Sequence, residues 1–517
     1  MPVPSPRSRS SQRPILCRIF PHAGAFTRVV AVLITGSLTA CGADEPAEPV
    51  GPPPNVLLIS IDTLRADHLD AYGYARETAP NLTRLAEQGA LFERCVAVSN
   101  WTLPTHTTLF TGLHPIVHGV EESKDALDPG RATLGEAFAA AGYETAGWFN
   151  NPFVDAKFGF MRGFERYEMA LTREQMKAQM ELKGTPKGAI TRSHQPQPGV
   201  RQKDYFVEQG AEPTSDRALQ FLEERDPARP FLLFLHYNDV HSDYIPPAPY
   251  DRKFNPGYEG TITAEGYPHN KRINRRMPPE DLAQIKALYD GEIAWTDQAI
   301  GRVLDRLDEL GLADDTIVLV TSDHGEGFFE HNGKEHHYGL YDELVNIPFI
   351  VRYPVTVPAG QRISHGVSQA DIAPTLLELA RLDGLPEADG LSWAGELTGR
   401  SGGTRPRPML SRAILKPILD EDGDVVLSLR TDELTVIKHV SPEGAEKVLV
   451  FDRATDPGEQ RPLPADHPAR AEGLELLELV NERFEHRRES LDWSADHTDL
   501  PTDPELLEQM RQWGYIK

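Results

Sequence analysis

The chain has 517 residues, 53 of them Lys or Arg and 78 Asp or Glu, giving a formal net charge of −25 at pH 7. A protein that grips nucleic acid needs a basic face, and this balance argues against such a partner. Hydrophobic residues make up 39% of the chain, enough for one large core and a smaller one.

Residues 1–28 hold five arginines and no acidic residue, and Val29 to Ala40 is an apolar run too short to span a bilayer. Small residues precede Cys41 in Leu38-Thr39-Ala40-Cys41-Gly42. This is the layout of a signal peptide. It also resembles the bacterial lipobox, in which that cysteine is lipidated and becomes the first residue. The expectation is a signal peptide over 1–40, lipidation at Cys41 and a Pro-rich tether over 41–54. The protein would then be lipid-anchored in the bacterial cell envelope, facing the periplasm or exterior. Of the three cysteines, Cys17 leaves with the signal and Cys41 becomes the N-terminus. Only Cys95 remains, so no intramolecular disulfide is expected.

Val56 to Ile61 is a continuous apolar run of strand length, suited to a strand buried on both faces, and Asp62 ends it. Pro80 to Glu87 reads as a helix with Pro in its first turn. Leu91 to Val98 is strand-like. Thr105 to Phe110 reads as a short helix stopping at Gly112, which puts Thr102 at a helix N-terminus where free N–H groups favour anions. Thr133 to Ala141 is a helix and Glu144 to Phe149 a strand. From 170 to 202 the pattern dissolves into polar residues, as in an inserted loop or lid.

Phe231 to His236 is a second buried strand, followed by Asp239 and His241. Glu280 to Leu310 has helical spacing, with a break expected at Gly291 or Gly301. Thr316 to Val320 is a third strand, running into Asp323 and His324. Ile347 to Val351 is a fourth, and Ala370 to Arg381 a helix. Strands alternating with helices predict an α/β fold: a mostly parallel central sheet sandwiched by helices. A Gly/Pro/Arg-rich stretch near 400 ends the larger domain, over 55–400. Val425–Leu429, Leu434–Val440 and Val448–Phe451 then read as antiparallel strands and Pro468 to Arg487 as a helix. These form a small C-terminal α+β subdomain over 401–517.

In open α/β sheets ligands bind at the carboxyl ends of the strands. Three apolar strands there deliver Asp62, Asp239 and the Asp323–His324 pair. Asp62, Asp323 and His324 suit one divalent metal ion (calcium, manganese or zinc), with the Thr102 oxygen as a further ligand and direct nucleophile. His241, His336 and His337 are candidates to bind the substrate's oxygens or to protonate the leaving group.

These residues resemble the sulfatase family of the alkaline-phosphatase-like superfamily, from about 55 to 460. Asn55 to Asp62 is similar to the family's first metal-binding strand. Thr102-Leu103-Pro104-Thr105-His106 stands where sulfatases carry Cys/Ser-x-Pro-x-Arg, with Leu109 to Leu113 continuing the match. Thr321 to Gly325 resembles the second metal-binding strand, and Asp371 to Leu376, Phe451-Asp452 and Asp456 to Glu459 the later signatures. The resemblance implies a metal-dependent hydrolase of anionic sulfate or phosphate/phosphonate esters.

The departures from the family are chemical. Sulfatases convert the Cys or Ser to formylglycine; Thr102 would give a ketone, so no formylglycine is expected. His106 replaces the Arg, Thr63 the second Asp, and His324 the Asn. Asn150 stands near one Lys position, and His337 lies where the second is expected, with either it or His336 facing the substrate. His106, Asp239 and Asn150 are the substrate-binding candidates. Relatives that use Thr directly include phosphodiesterases and transferases of phosphoglycerol or phosphoethanolamine. The alternatives are therefore a phospho-headgroup transferase acting on envelope glycan or lipid, or a catalytically silent envelope-binding lipoprotein. Such transferases usually carry several membrane helices, which this sequence does not show.

Overall fold

The computed structural model describes residues 51–171, 210–400, 407–415 and 423–493. The signal peptide, Cys41 and nearly all of the expected 170–202 insertion lie outside them. From Pro53 onward the chain forms one compact unit.

Eight strands make the central sheet: β1 (Asn55–Ile61), β2 (Ala90–Phe92), β3 (Glu144–Phe149), β4 (Arg166–Met169), β5 (Phe231–Tyr237), β6 (Thr316–Ser322), β7 (Phe349–Arg352) and β8 (Gln361–Ile363). Their spatial order is β8-β2-β7-β6-β1-β5-β3-β4. Only β7 pairs antiparallel with its neighbours; the other pairings are parallel. The middle of the sheet is thus a parallel α/β layer, as its apolar runs predict.

Alternate residues of each central strand enter different cores. Val56, Leu58, Leu232, Phe234, Ile317 and Leu319 pack on one face, with Leu103, Leu109 and Phe110 of helix α1 (Thr102–Thr111). Leu57, Ile59, Leu233, Leu235, Val318 and Val320 pack on the other, with Ala211, Ala218 and Phe221 of α2 (Ala211–Glu224) and Ile293, Ile300 and Val303 of α3 (Pro279–Glu309). Strand faces alternate with a period of two, so this division fixes where the residues just past each strand point.

The break expected at Gly291 or Gly301 does not occur: α3 runs unbroken for 31 residues. Both glycines serve close packing instead. A Cβ at Gly291 would lie 2.7 Å from the Tyr250 carbonyl oxygen, and one at Gly301 would lie 2.6 Å from Asn81 Nδ2. Among the described residues no helix is long and apolar enough to cross a membrane.

The C-terminal part is a four-stranded antiparallel sheet, β9 (Met409–Leu415), β10 (Asp424–Arg430), β11 (Leu434–Val440) and β12 (Glu446–Asp452), followed by helix α4 (Pro468–Glu489). Strand β9 was not foreseen. It lies against the segment leading to α1, where Ser411 Oγ donates to the Ala97 carbonyl at 2.6 Å and the Arg412 N–H to that of Val98 at 2.8 Å.

Candidate active site

The sheet register sets the site. Ile61 of β1 pairs with Tyr237 of β5 and Ser322 of β6, so Asp62, Asn238 and Asp323 leave the sheet side by side. Asp62 and Asp323 are fully buried, and both continue the strand face that packs on α1. Asp323 Oδ1 is held by the N–H groups of Thr63 (3.1 Å) and His324 (2.9 Å). His324 Nδ1 donates to the Gly325 carbonyl at 3.0 Å, which leaves Nε2 as a bare lone pair.

That Nε2 lies 3.4 Å from Asp323 Oδ2 and 3.8 Å from Asp62 Oδ1. None of these three atoms has a hydrogen-bond partner, and all are buried. Donor atoms about 2.0–2.1 Å from a tetrahedral ion sit about 3.4 Å apart, close to the spacing of the His324 nitrogen from each carboxylate. The three atoms are also within 4.8 Å of one another. Orphaned, buried carboxylate and imidazole atoms facing a common point are costly unless something positive joins them. The donor set fits a divalent metal ion. Thr63, in the place of a second carboxylate, has a buried Oγ1 with no partner and a left-handed backbone at φ 54°.

The charges around Asp62 are those of histidines. Burial would raise its carboxyl, but bonding to His236 and the fields of His241, His236 and His324 outweigh burial and hold it below the usual range. Asp323 moves the other way, raised by burial and by the Asp62 charge. Among the described residues no lysine or arginine bonds or pairs with Asp62, Thr102, Asp323 or His324.

Thr102 opens α1, after an extended Trp101 that makes no side-chain cap. Its Oγ1 lies 3.4 Å from Nδ2 of Asn151, and the same nitrogen donates to Asp62 Oδ2 at 2.7 Å. The candidate nucleophile and the metal-ligand candidates thus share one neighbourhood. His241, His336 and His337 also come together. The His336 ring lies 4.4 Å from that of His324, 4.3 Å from His337 and 5.3 Å from His241. His336 Nδ1 approaches Oε1 of the buried Glu326 at 3.4 Å. Burial lowers His241, but the carboxylates of Asp62 and Glu326 outweigh it and raise its pKa.

Three candidates point elsewhere. His106, expected to face the substrate, is fully buried between α1 and β1, with Nδ1 donating to the Thr102 carbonyl at 2.9 Å and Nε2 accepting from Ser60 Oγ at 3.1 Å. One helical turn beyond Thr102, its side chain faces the sheet rather than the opening. Burial, then His236, lowers its pKa to about 3, so it is neutral. Asn150 donates to the Gly210 carbonyl (3.0 Å) and Thr214 Oγ1 (2.6 Å), on the α2 side. Asp239 follows Tyr237 onto that same side; burial pushes its carboxyl up to about 7, against the pull of the Ala211 backbone.

Sequence reasoning missed their neighbours. Asn151 and Asn238, one position away from each, lie on the α1 face, and Asn151 Nδ2 reaches Asn238 Oδ1 at 3.1 Å. His236 was read only as a strand residue; it is buried, and its Nε2 lies 3.4 Å from Asp62 Oδ2. The period-two pattern of β3 and β5 carried the signal for all three.

A parallel sheet with buried acids and an imidazole at its carboxyl edge, beside a hydroxyl at a helix N-terminus, brings together groups that suit ester hydrolysis. The sulfatase family model matches residues 54–382, more than half of the chain, and the chain belongs to the sulfatase family. It is 26% identical to an arylsulfatase of Clostridium perfringens, over 66% of this chain and 77% of that one. To the multifunctional alkaline phosphatase superfamily protein PehA of Trinickia caryophylli it is 28% identical, over 63% and 73%. The solved phosphonate monoester hydrolase of Agrobacterium radiobacter has the same fold, with a TM-score of 0.67 at 24% identity, covering 84% of this chain and 96% of that one. The chain is a sulfatase-type ester hydrolase.

Proposed function

We propose that this chain hydrolyses singly charged phosphorus esters, such as phosphonate monoesters or phosphodiesters, with Thr102 as direct nucleophile, and turns over sulfate esters more slowly. The convergence of Asp62 Oδ1, Asp323 Oδ2 and His324 Nε2 beside Thr102 carries this reading. A divalent cation held by those three residues would supply the positive charge that acidifies a hydroxyl and offsets charge on the ester's oxygens. An imidazole among the donors favours manganese or zinc over calcium.

The Thr102 hydroxyl gives its proton to solvent, and Oγ1 bonds to phosphorus as the bond to the leaving oxygen breaks. The free N–H groups at the start of α1 face the negative oxygens. The departing alkoxide takes a proton from the His241, His336 and His337 group, where His241 has the raised proton affinity. Water then cleaves the threonyl ester and restores the hydroxyl. A threonyl ester has no second hydroxyl on its Cβ through which to expel the acid group, so water must attack phosphorus or sulfur itself. This favours phosphorus over sulfur. Among the described residues no lysine or arginine pairs with Asp62 or Thr102, which favours one negative charge on the substrate over two. The Cys41 motif supports lipid anchoring in the envelope, which mass spectrometry of the mature N-terminus would test.

The experiment is a panel of aryl phosphonate, aryl phosphodiester and aryl sulfate esters assayed with added manganese or zinc. Phosphorus esters should turn over faster than the matching sulfate. Thr102→Ala should lower kcat/KM by at least about 10³-fold, and Thr102→Ser should retain activity. An active Thr102→Ala protein would refute the nucleophile.

A further inference from the structure

We propose that Asn151 is a catalytic residue: its amide nitrogen donates a hydrogen bond to the non-bridging oxygen that gains charge as the ester forms on Thr102. This rests on Thr102 being the nucleophile.

The amide orientation is settled by its surroundings. Asn151 Oδ1 accepts from the Phe153 N–H at 2.9 Å, capping the turn Pro152–Val154. The NH2 end is therefore the one that faces Thr102. It has two hydrogens, and the acceptors in its reach include Asp62 Oδ2 at 2.7 Å, Asn238 Oδ1 at 3.1 Å and Thr102 Oγ1 at 3.4 Å. The first two contacts have ordinary hydrogen-bond lengths, and the third is long by about half an ångström. In the resting site, then, one hydrogen serves the Asp62 carboxylate and the other a neutral amide oxygen.

An acid group forming on Thr102 Oγ1 places its non-bridging oxygens one bond beyond that atom, within range of Nδ2. As negative charge builds there, such an oxygen becomes a stronger acceptor than the neutral Asn238 carbonyl, because bonds to ionised acceptors are about twice as strong. The hydrogen shifts to it. Asn151 is fully buried, so no water needs to reorganise for that shift. An interaction that strengthens only as the transition state is approached raises kcat rather than ground-state binding.

The test uses the full chain loaded with manganese or zinc. In Asn151→Ser the hydroxyl can still cap the turn, but the donor to the site is withdrawn. In Asn151→Asp shape and cap remain, and an acceptor replaces the donor. Both variants should lose about 10²- to 10³-fold in kcat with KM within about threefold, the effect of deleting one oxyanion donor. Affinity for vanadate, titrated calorimetrically as a mimic of the transition state, should fall with kcat. Because Asn151 also bonds to Asp62, cation affinity is titrated for each variant, and kcat and vanadate binding are compared at saturating cation. If kcat falls less than about tenfold in either variant, or if cation affinity falls while vanadate binding at saturating cation does not, the proposal is overturned. The second of these patterns would make Asn151 a prop for Asp62 alone. An active Thr102→Ala protein would instead remove the underlying reading.

Discussion

Asp62 and Asp323 put two buried carboxylates close together, and among the described residues the ionisable bases beside them are imidazoles. Two like charges so placed repel, which is why burial and Asp62 together raise Asp323. The neutral His106 beneath them adds no charge to offset this. A bound cation answers both carboxylates at once, so loading the site should stabilise the whole protein. Ion at about 100 times its Kd should add about 2.7 kcal/mol to unfolding. His324→Ala removes one of three convergent donors and should need at least about tenfold more ion for the same rise in Tm, since even outer-shell changes weaken metal sites by 10- to 100-fold. Thermal unfolding across a manganese or zinc titration measures this. A wild-type Tm that ignores both ions would show that these atoms hold none.

At the scale of elements, the loop after β6 must be held so that His324 and His336 meet. One clamp is His331, which contacts Glu343 Oε1 at 2.8 Å through Nδ1 and the Glu459 carbonyl at 2.9 Å through Nε2. An imidazole donating from both nitrogens carries the extra proton. Burial lowers its pKa, but the bond to Glu343 and that carboxylate's charge outweigh burial, and the net shift is upward. The folded protein therefore holds this proton more tightly than the unfolded chain does. The resulting stability is complete below the unfolded pKa of about 6.5 and is lost as pH rises through the folded value. The stability difference between wild type and His331→Gln, from urea unfolding, should thus shrink between pH 6 and pH 9. A difference that grows with pH would assign His331 the neutral form.

Strands and helices were legible in the sequence wherever apolar runs were long: β1, β5, β6 and most helices lie where the pattern put them. So were the residues that leave β1 and β6, because both strands continue straight into Asp62 and Asp323. The site failed to be legible by single positions. A one-residue step at a strand end moves a side chain to the opposite face of the sheet. Asn150 and Asp239 step toward α2, while Asn151 and Asn238 step toward α1 and Thr102. The alternation within β3 separates Trp148 from Phe149 into different cores, so parity could have been extended two residues further. His106 required knowing which face of α1 meets the sheet, which its nearly all-buried residues do not reveal. The glycines of α3 look like breaks until the chains packed against them are known.

At the scale of the whole molecule, the 401–517 segment reads as a small C-terminal subdomain, and its described residues pack against the catalytic core. Met409, Ala413, Val426, Ile437 and Phe451 belong to the same buried cluster as Phe92, Phe349 and Trp393. Arg430 and Glu459, both buried, pair at 3.0 Å, and the Glu459 carboxylate also accepts the Asp342 N–H at 2.9 Å, holding the far end of the loop that carries His336. Strand β9 bonds to Ala97 and Val98, just before the nucleophile helix. Removing the segment would expose one wall of the core, free the approach to Thr102 and release the histidine loop. A chain ending at residue 400 should therefore aggregate or lose its near-ultraviolet circular dichroism, and should show neither cooperative unfolding nor ester turnover. A soluble fragment that unfolds cooperatively and keeps kcat within tenfold of the full chain would show that the catalytic centre is complete without β9–β12, and that the contacts across this boundary are incidental to it.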